Sequence, residues 1–201
     1  MRIAIVGTGK MGRGFVEALS AKHEVVVGSR DPERAARIAA RSGAALGTAN
    51  ADAVDGAGVV ILAVPWPALQ ETVVSLGGLG GSVVVDVTNP MNREHREALK
   101  GRSTPELIRA WAPDTKVVKA WNHVHARFLT APEVDGLAQS VLIAGDETEA
   151  KRTVSTLARD IGFDPVDVGP LRAARDLEKL VATMTFVKLG AIRVLSSHRG
   201  G

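Results

Sequence analysis

Ile3-Ala4-Ile5-Val6-Gly7-Thr8-Gly9-Lys10-Met11-Gly12 decides how the rest of the chain is read. Ile3 to Val6 is a short unbroken apolar run, as expected of a strand buried on both faces. Three glycines follow in the pattern G-x-G-x-x-G. Met11, Phe15, Val16 and Leu19 then recur at helical spacing up to Ser20. A strand that turns through glycines into a helix is the context in which this fingerprint carries weight. The first glycine makes the tight turn. The second lets the backbone approach a pyrophosphate, and the third lets helix and strand pack closely. Backbone N–H groups and the helix dipole then face the anion. The competing reading is a plain glycine turn. A Walker loop is excluded, because Gly12 is not followed by Lys and then Ser or Thr.

Strands and helices alternate outward from this unit. Strands are predicted over Glu24 to Gly28, Val59 to Val64, Ser82 to Val87, Lys116 to Ala120, Ser140 to Ala144 and Pro165 to Val168, with a short one at Ala44 to Leu46. Asp31-Pro32-Glu33 reads as an N-cap with proline at the first helical position, and that helix closes at Ser42-Gly43. Further helices are predicted from Pro67 to about Leu76, from Thr104 to Trp111 and from Glu149 to Ile161. The pattern gives an α/β class: a Rossmann-type, doubly wound, mostly parallel sheet with helices on both faces. The expected division is a nucleotide-binding domain over 1–169 and a dependent helical segment over 170–201, with the break at Gly169-Pro170.

Composition narrows the chemistry. The 201 residues are 45% hydrophobic and 23% charged, which is globular usage and excludes a disordered or collagen-like chain. There is no cysteine, so there is no thiolate nucleophile or cysteine metal site. There is no tyrosine, which removes the Tyr-plus-Lys pair of short-chain dehydrogenases. The net charge of +3 comes without a basic block, so neither nucleic acid nor a membrane is indicated as a partner. No apolar run approaches the roughly 18 residues that span a bilayer. The apolar start is broken at once by glycines, and a cytoplasmic protein is expected.

The end of the second strand selects the nucleotide. NAD readers place an acid there to hold the ribose hydroxyls. Here the strand ends Val27-Gly28-Ser29-Arg30. A hydroxyl and a guanidinium suit a 2′-phosphate, and Arg34 lies one helical turn further on. Asp31 has a more natural role as the N-cap. NADP is therefore preferred over NAD, against the alternative that both arginines are solvated surface charges.

In open α/β sheets, ligands bind at the carboxyl ends of the strands. Those ends carry Ala63-Val64-Pro65-Trp66, Asp86-Val87-Thr88-Asn89-Pro90 and Lys119-Ala120-Trp121-Asn122-His123. Asn89 and Asn122 offer amides to a ligand, or else serve as turn residues. Trp66 and Trp121 either wall a flat ring or pack in the core. His123 is a candidate pocket donor, with an ordinary core histidine as the alternative. No metal site is expected, because H-x-H lacks a third ligand. The catalytic residues stay unassigned. Hydride transfer between two redox cofactors needs positioning more than proton chemistry, so the lack of an acid–base pair fits it.

The chain resembles the NADPH-dependent reductases of the deazaflavin coenzyme F420. The resemblance is carried by Gly7-Thr8-Gly9-Lys10-Met11-Gly12, Val25-Val26-Val27-Gly28-Ser29-Arg30, Pro65-Trp66 and Gly169-Pro170-Leu171. It implies that Thr8, Gly9, Lys10, Met11, Ser29, Arg30 and Arg34 hold NADP, with Val64 and Ala120 lining the nicotinamide region. It also implies hydride transfer between stacked nicotinamide and deazaflavin rings. The segments Val87-Thr88-Asn89-Pro90 and Trp121-Asn122-His123 depart from the archaeal members. They look closer to reductase domains that pair NADPH with flavin and iron.

The expected function is an NADP(H)-dependent oxidoreductase with coenzyme F420 or a flavin as acceptor. The alternative is a non-catalytic NADP-sensing module that binds a partner protein. The tail is predicted to be one long helix from Leu171 to about Leu195. Its mostly apolar stripe runs through Leu177, Leu180, Val181, Met184, Val187, Lys188, Ala191, Ile192 and Leu195, with Phe186, Leu189 and Val194 off the stripe. That surface predicts a homodimer whose interface helps wall the acceptor site. Burial within its own chain is the competing account.

Overall fold

The structure, a computed structural model, describes residues 1–91, 94, 97 and 99–187, with the side chains of 185–187 left aside. The elements that build its sheet are β1 (Arg2–Val6), β2 (Glu24–Ser29), β3 (Leu46–Ala49), β4 (Val59–Leu62), β5 (Val83–Asp86) and β6 (Lys116–Lys119). Between them lie α1 (Lys10–Leu19), α2 (Pro32–Ser42), α3 (Asn50–Val54), α4 (Trp66–Ser75) and α5 (Thr104–Trp111). A small hairpin of β7 (Glu133–Val134) and β8 (Leu137–Ala138) stands apart. The chain continues through β9 (Ser140–Gly145), α6 (Thr148–Asp160), β10 (Asp164–Gly169) and α7 (Ala174–Val187).

The sheet order is β10-β9-β6-β5-β4-β1-β2-β3. β1 to β6 run parallel, β9 opposes β6, and β10 runs parallel to β9. The order reverses between β1 and β4, and this reversal opens a crevice beyond their carboxyl ends. Both sheet faces are covered. Ile3 and Ile5 enter one core with Phe15, Val16 and Val25. Ala4 and Val6 enter the opposite core with Val60, Leu62 and Leu69. That alternation is the period of two of a strand with both faces buried, and explains why Ile3 to Val6 is apolar throughout.

The predicted elements up to Val187 are present, with shifted ends; the expected run of the tail helix to about Leu195 lies outside the described residues. The third strand covers Leu46–Ala49 rather than Ala44 to Leu46. Gly47 fixes that register: a Cβ there would lie 2.2 Å from the Ala35 backbone, so only glycine lets α2 pack so closely on β3. The short α3 and the β7–β8 hairpin were not expected, because elements this brief show no hydrophobic period. The tail begins as a 3₁₀ turn over Leu171–Ala173 before α7 starts.

Leu177, Val181 and Met184 of that tail are buried by the rest of the chain, and Leu180 is half-buried. Leu189, Val194 and the side chain of Phe186, on which the dimer expectation rested, lie outside the described residues. Among the described residues, no helix is long and apolar enough to cross a membrane.

A carboxylate ties α5 to α7. Glu106 accepts from the Ser103 N–H (2.7 Å) and hydroxyl (2.8 Å), and from Arg175 through two nitrogens at 2.8 and 2.6 Å. Burial pushes this carboxyl up, but the Arg175 guanidinium and the Ser103 donors outweigh it and hold it at about 2 instead of 4.5. A lowered carboxyl stabilises the fold fully above its unfolded value and loses that contribution as pH falls. Melting temperatures between pH 5 and pH 2 should therefore drop less in Glu106→Gln than in the parent. An equal drop contradicts this account.

Candidate active site

The turn from β1 into α1 is built around its glycines. Gly7 has φ +117°, and a Cβ there would lie 2.4 Å from the Ala63 carbonyl oxygen. A Cβ on Gly12 would lie 1.9 Å from the Gly7 oxygen. Those two positions serve strand–helix packing. Gly9 differs: its φ is −74°, and a Cβ there meets no atom within 4 Å. Nothing in the fold itself requires glycine at that position. Open space above the N-terminus of α1 is what a bound pyrophosphate needs. The first turn of α1 carries no acid that would compete for its N–H groups.

A cleft of about 280 Å³ extends from this turn. Gly7, Thr8, Gly9, Ser29, Arg30, Asp31 and Arg34 all line it, so the structure brings the predicted adenosine-side residues together. Asp31 is the N-cap of α2, its Oδ1 accepting from the Arg34 N–H at 3.0 Å. The Ser29 hydroxyl oxygen accepts from the Asp31 N–H at 3.1 Å, which leaves its proton for a ligand. Arg34 donates to the Thr8 carbonyl at 3.3 Å, clasping the glycine turn from the α2 side. Asn50 and Thr72 also line this cleft, and sequence reasoning missed them. Asn50 opens α3 at the end of β3, and only that strand's register could have revealed it.

A second cleft, about 390 Å³, adjoins the first. Gly9, Ala63, Val64 and Pro65 line both, so the two form one groove across the ends of β1 and β4. Lys10, Met11, Trp66, Pro67, Val87, Thr88, Asn89 and Met91 complete the second. Its walls are mostly apolar, and Lys10 is its one titratable side chain among the described residues. Trp66 therefore borders the groove. Trp121 instead packs edge-on against Phe15 in the core, with ring centroids 5.4 Å apart.

Of the remaining predicted residues, Ala120, Asn122 and His123 do not line this wall, and Asn89 lines it with its amide already engaged. Ala120 is fully buried. Asn122 is buried, and its amide is spent on Asn89 Oδ1 (3.1 Å) and the Leu177 carbonyl (3.2 Å). Asn89 lines the cleft, but its own amide donates to the Asn122 carbonyl at 2.6 Å. His123 is a buried histidine whose Nε2–H donates to the Ser140 carbonyl at 2.9 Å. Burial holds its imidazole below the ordinary value despite that bond, so it is neutral at pH 7. Trp121 turns the chain here with φ +53°, a left-handed conformation unusual for a large residue.

Behind the cleft lies a buried polar knot that the sequence did not single out. Asp86 and Lys119 are register partners at the ends of β5 and β6. The Lys119 ammonium contacts Asp86 Oδ2 (2.9 Å), the Thr88 carbonyl (2.6 Å), Thr104 Oγ1 (2.7 Å) and Glu178 Oε1 (2.9 Å). The Thr104 hydroxyl contacts Asp86 and Glu178, and its N–H donates to Glu178 at 2.9 Å. Thr88 donates to Asp86 Oδ1 from its N–H (2.9 Å) and hydroxyl (2.7 Å). The available signal was a charged residue closing each of two neighbouring strands with apolar centres. Among the described residues, no group of three or more His, Cys, Asp or Glu stands ready to hold a metal ion.

Comparison with known proteins bears on this groove. A family model described as NADP oxidoreductase, coenzyme F420-dependent, matches residues 2–90. The F420-dependent NADP reductase of Methanothermobacter marburgensis is 32% identical over 206 residues, covering 90% of this chain and 89% of that protein. Metalloreductase STEAP3 of Rattus norvegicus is 37% identical over 183 residues, or 89% of this chain. The chain spans only 36% of that metalloreductase's length. A crystal structure from Arthrobacter sp. FB24, provisionally assigned as an F420-dependent NADP reductase, superposes with a TM-score of 0.84 at 29% identity, covering 93% of both chains.

Proposed function

The chain belongs to the family of F420-dependent NADP reductases, and from that premise we propose that it passes a hydride between NADP(H) and a flat-ring acceptor, a deazaflavin such as coenzyme F420 or a flavin. One observation supports this reading above the others. The phosphate-cradling cleft and the apolar cleft share Gly9, Ala63, Val64 and Pro65. A dinucleotide anchored at Arg30 and Arg34 would lay its nicotinamide against Val64 and Pro65, beside Met11, Trp66, Val87 and Met91.

NADPH supplies the hydride when bound. The protein's part is to hold the pyrophosphate on the α1 N-terminus, grip the 2′-phosphate with Ser29, Arg30 and Arg34, and exclude water with Met11 and Trp66. Fixing two rings in contact is a large share of such catalysis. A ring acceptor asks for little proton chemistry from the wall, in keeping with Lys10 as the one titratable group there among the described residues. Asn89 lines the wall with both its amide nitrogen and its oxygen engaged by Asn122.

The metalloreductase relative gives a reason to keep flavin beside the deazaflavin. A metal ion takes single electrons, whereas a hydride carries two, so a ring able to do both must stand between them. The test is an acceptor screen with NADPH oxidation followed by absorbance. Turnover is expected with a deazaflavin or flavin, and not with imines or 2-oxo acids. Turnover confined to imines or 2-oxo acids would contradict the proposal. Tight NADPH binding with no turnover on any acceptor would favour an NADP-sensing module.

A further inference from the structure

We propose that the Asp86–Lys119–Glu178 knot biases the bound nucleotide toward its oxidised form, through one buried negative charge in excess. The inference rests on the reading above, that the nicotinamide lies against the cleft wall formed in part by Val87, Thr88 and Asn89.

Asp86 and Lys119 are fully buried, and Glu178 is 6% exposed. Two carboxylates meet one ammonium, and the described residues give the knot no second cation. Lys119 is already shared between both carboxylates, at 2.9 Å from each. A knot built only to pin α7 to the sheet would be satisfied by one carboxylate and hydroxyl partners. A second buried carboxylate is costly unless something nearby offsets it.

Thr88 lines the cleft and is also part of the knot. Its N–H and hydroxyl donate to Asp86, and its carbonyl accepts from Lys119. Asp86 and Lys119 thus stand one residue behind the wall and Glu178 behind Lys119, all within protein rather than water. Screening there is weak, so a unit charge is felt across several ångströms. The nicotinamide ring is neutral in NADPH. When its hydride, a proton with two electrons, leaves for the acceptor ring, the nicotinamide carries one positive charge. A fixed negative charge behind the wall favours that product and the charge developing on the way to it. Asp86 and Glu178 touch neither ring, so they are positioning residues that act through the field.

The readout is the ratio of NADP⁺ to NADPH affinity, which a purely structural role would leave unmoved. Glu178→Gln retains an Oε1 able to accept from Lys119 and Thr104 while removing the excess charge. Calorimetry on one preparation should show NADP⁺ affinity falling about tenfold relative to NADPH. That raises the potential of the bound couple by about 30 mV. Asp86→Asn neutralises the knot by the other route and should shift the ratio the same way, so either folded variant decides the matter. Glu178→Asp keeps the charge and should leave the ratio in place. Equal losses for both nucleotides, or no change in the ratio, overturn the proposal. Wild-type protein that binds neither nucleotide overturns instead the reading beneath it.

Discussion

Gly9→Val should leave the protein folded and cost it more than about a hundredfold in affinity for NADPH, because a side chain there occupies the space of the pyrophosphate. Gly12→Ala, a smaller change three residues on, should do the opposite kind of damage. Gly9 has an extended backbone and open space around its missing Cβ. The Gly12 methyl would have to lie 1.9 Å from the Gly7 oxygen, so α1 must move off β1. Overpacking of backbone on backbone puts the cost at roughly 3 kcal/mol or more, a large part of a typical domain stability of about 5–15 kcal/mol. Urea unfolding and calorimetry on both variants separate the effects. A Gly9→Val protein with parental affinity would reduce the fingerprint to a turn. A Gly12→Ala protein of parental stability would contradict the packing account.

Arg30→Ala should weaken NADPH by about 10- to 150-fold, the 1.5–3 kcal/mol typical of a lost charge-assisted contact, with NADH nearly unaffected. Arg30 is exposed and lines the first cleft with Ser29 and Arg34. Arg34→Ala should show the same selectivity with a further loss, because Arg34 also clasps Thr8. Calorimetry with both nucleotides gives the answer. Equal losses for NADPH and NADH would remove the 2′-phosphate from Arg30.

Much of this was legible before any coordinates, for a physical reason. Strands buried on both faces must be apolar throughout, and a glycine turn that packs strand on helix leaves its spacing in the sequence. Val25 to Arg30 pointed to NADP in the same way, because the end of this strand is where the fold class would place a ribose. The second cleft was read less well. Asn122 and His123 sit at a strand end, as a ligand-binding residue would, but the left-handed turn at Trp121 directs them inward to Leu177 and Ser140. No local pattern encodes that turn at a tryptophan. The knot was hidden for a different reason. Asp86, Thr104, Lys119 and Glu178 are spread over 93 residues of sequence and meet only once four elements have packed. Asp86 and Lys119 were visible as charges closing strands with apolar centres, yet their partners on α5 and α7 were not.

Transfer of label from NADPH to a deazaflavin tests the central claim most directly. NADPH carrying deuterium at nicotinamide C4, on one face and then on the other, is mixed with the protein and the oxidised deazaflavin. The reduced acceptor is then weighed by mass spectrometry. A hydride accepted at a ring carbon does not exchange with water, so one of the two preparations should deliver one deuterium per reduced acceptor and the other none. Reduced acceptor without label from either preparation, or a label that stays on the nucleotide while the acceptor remains oxidised, would contradict direct transfer between stacked rings.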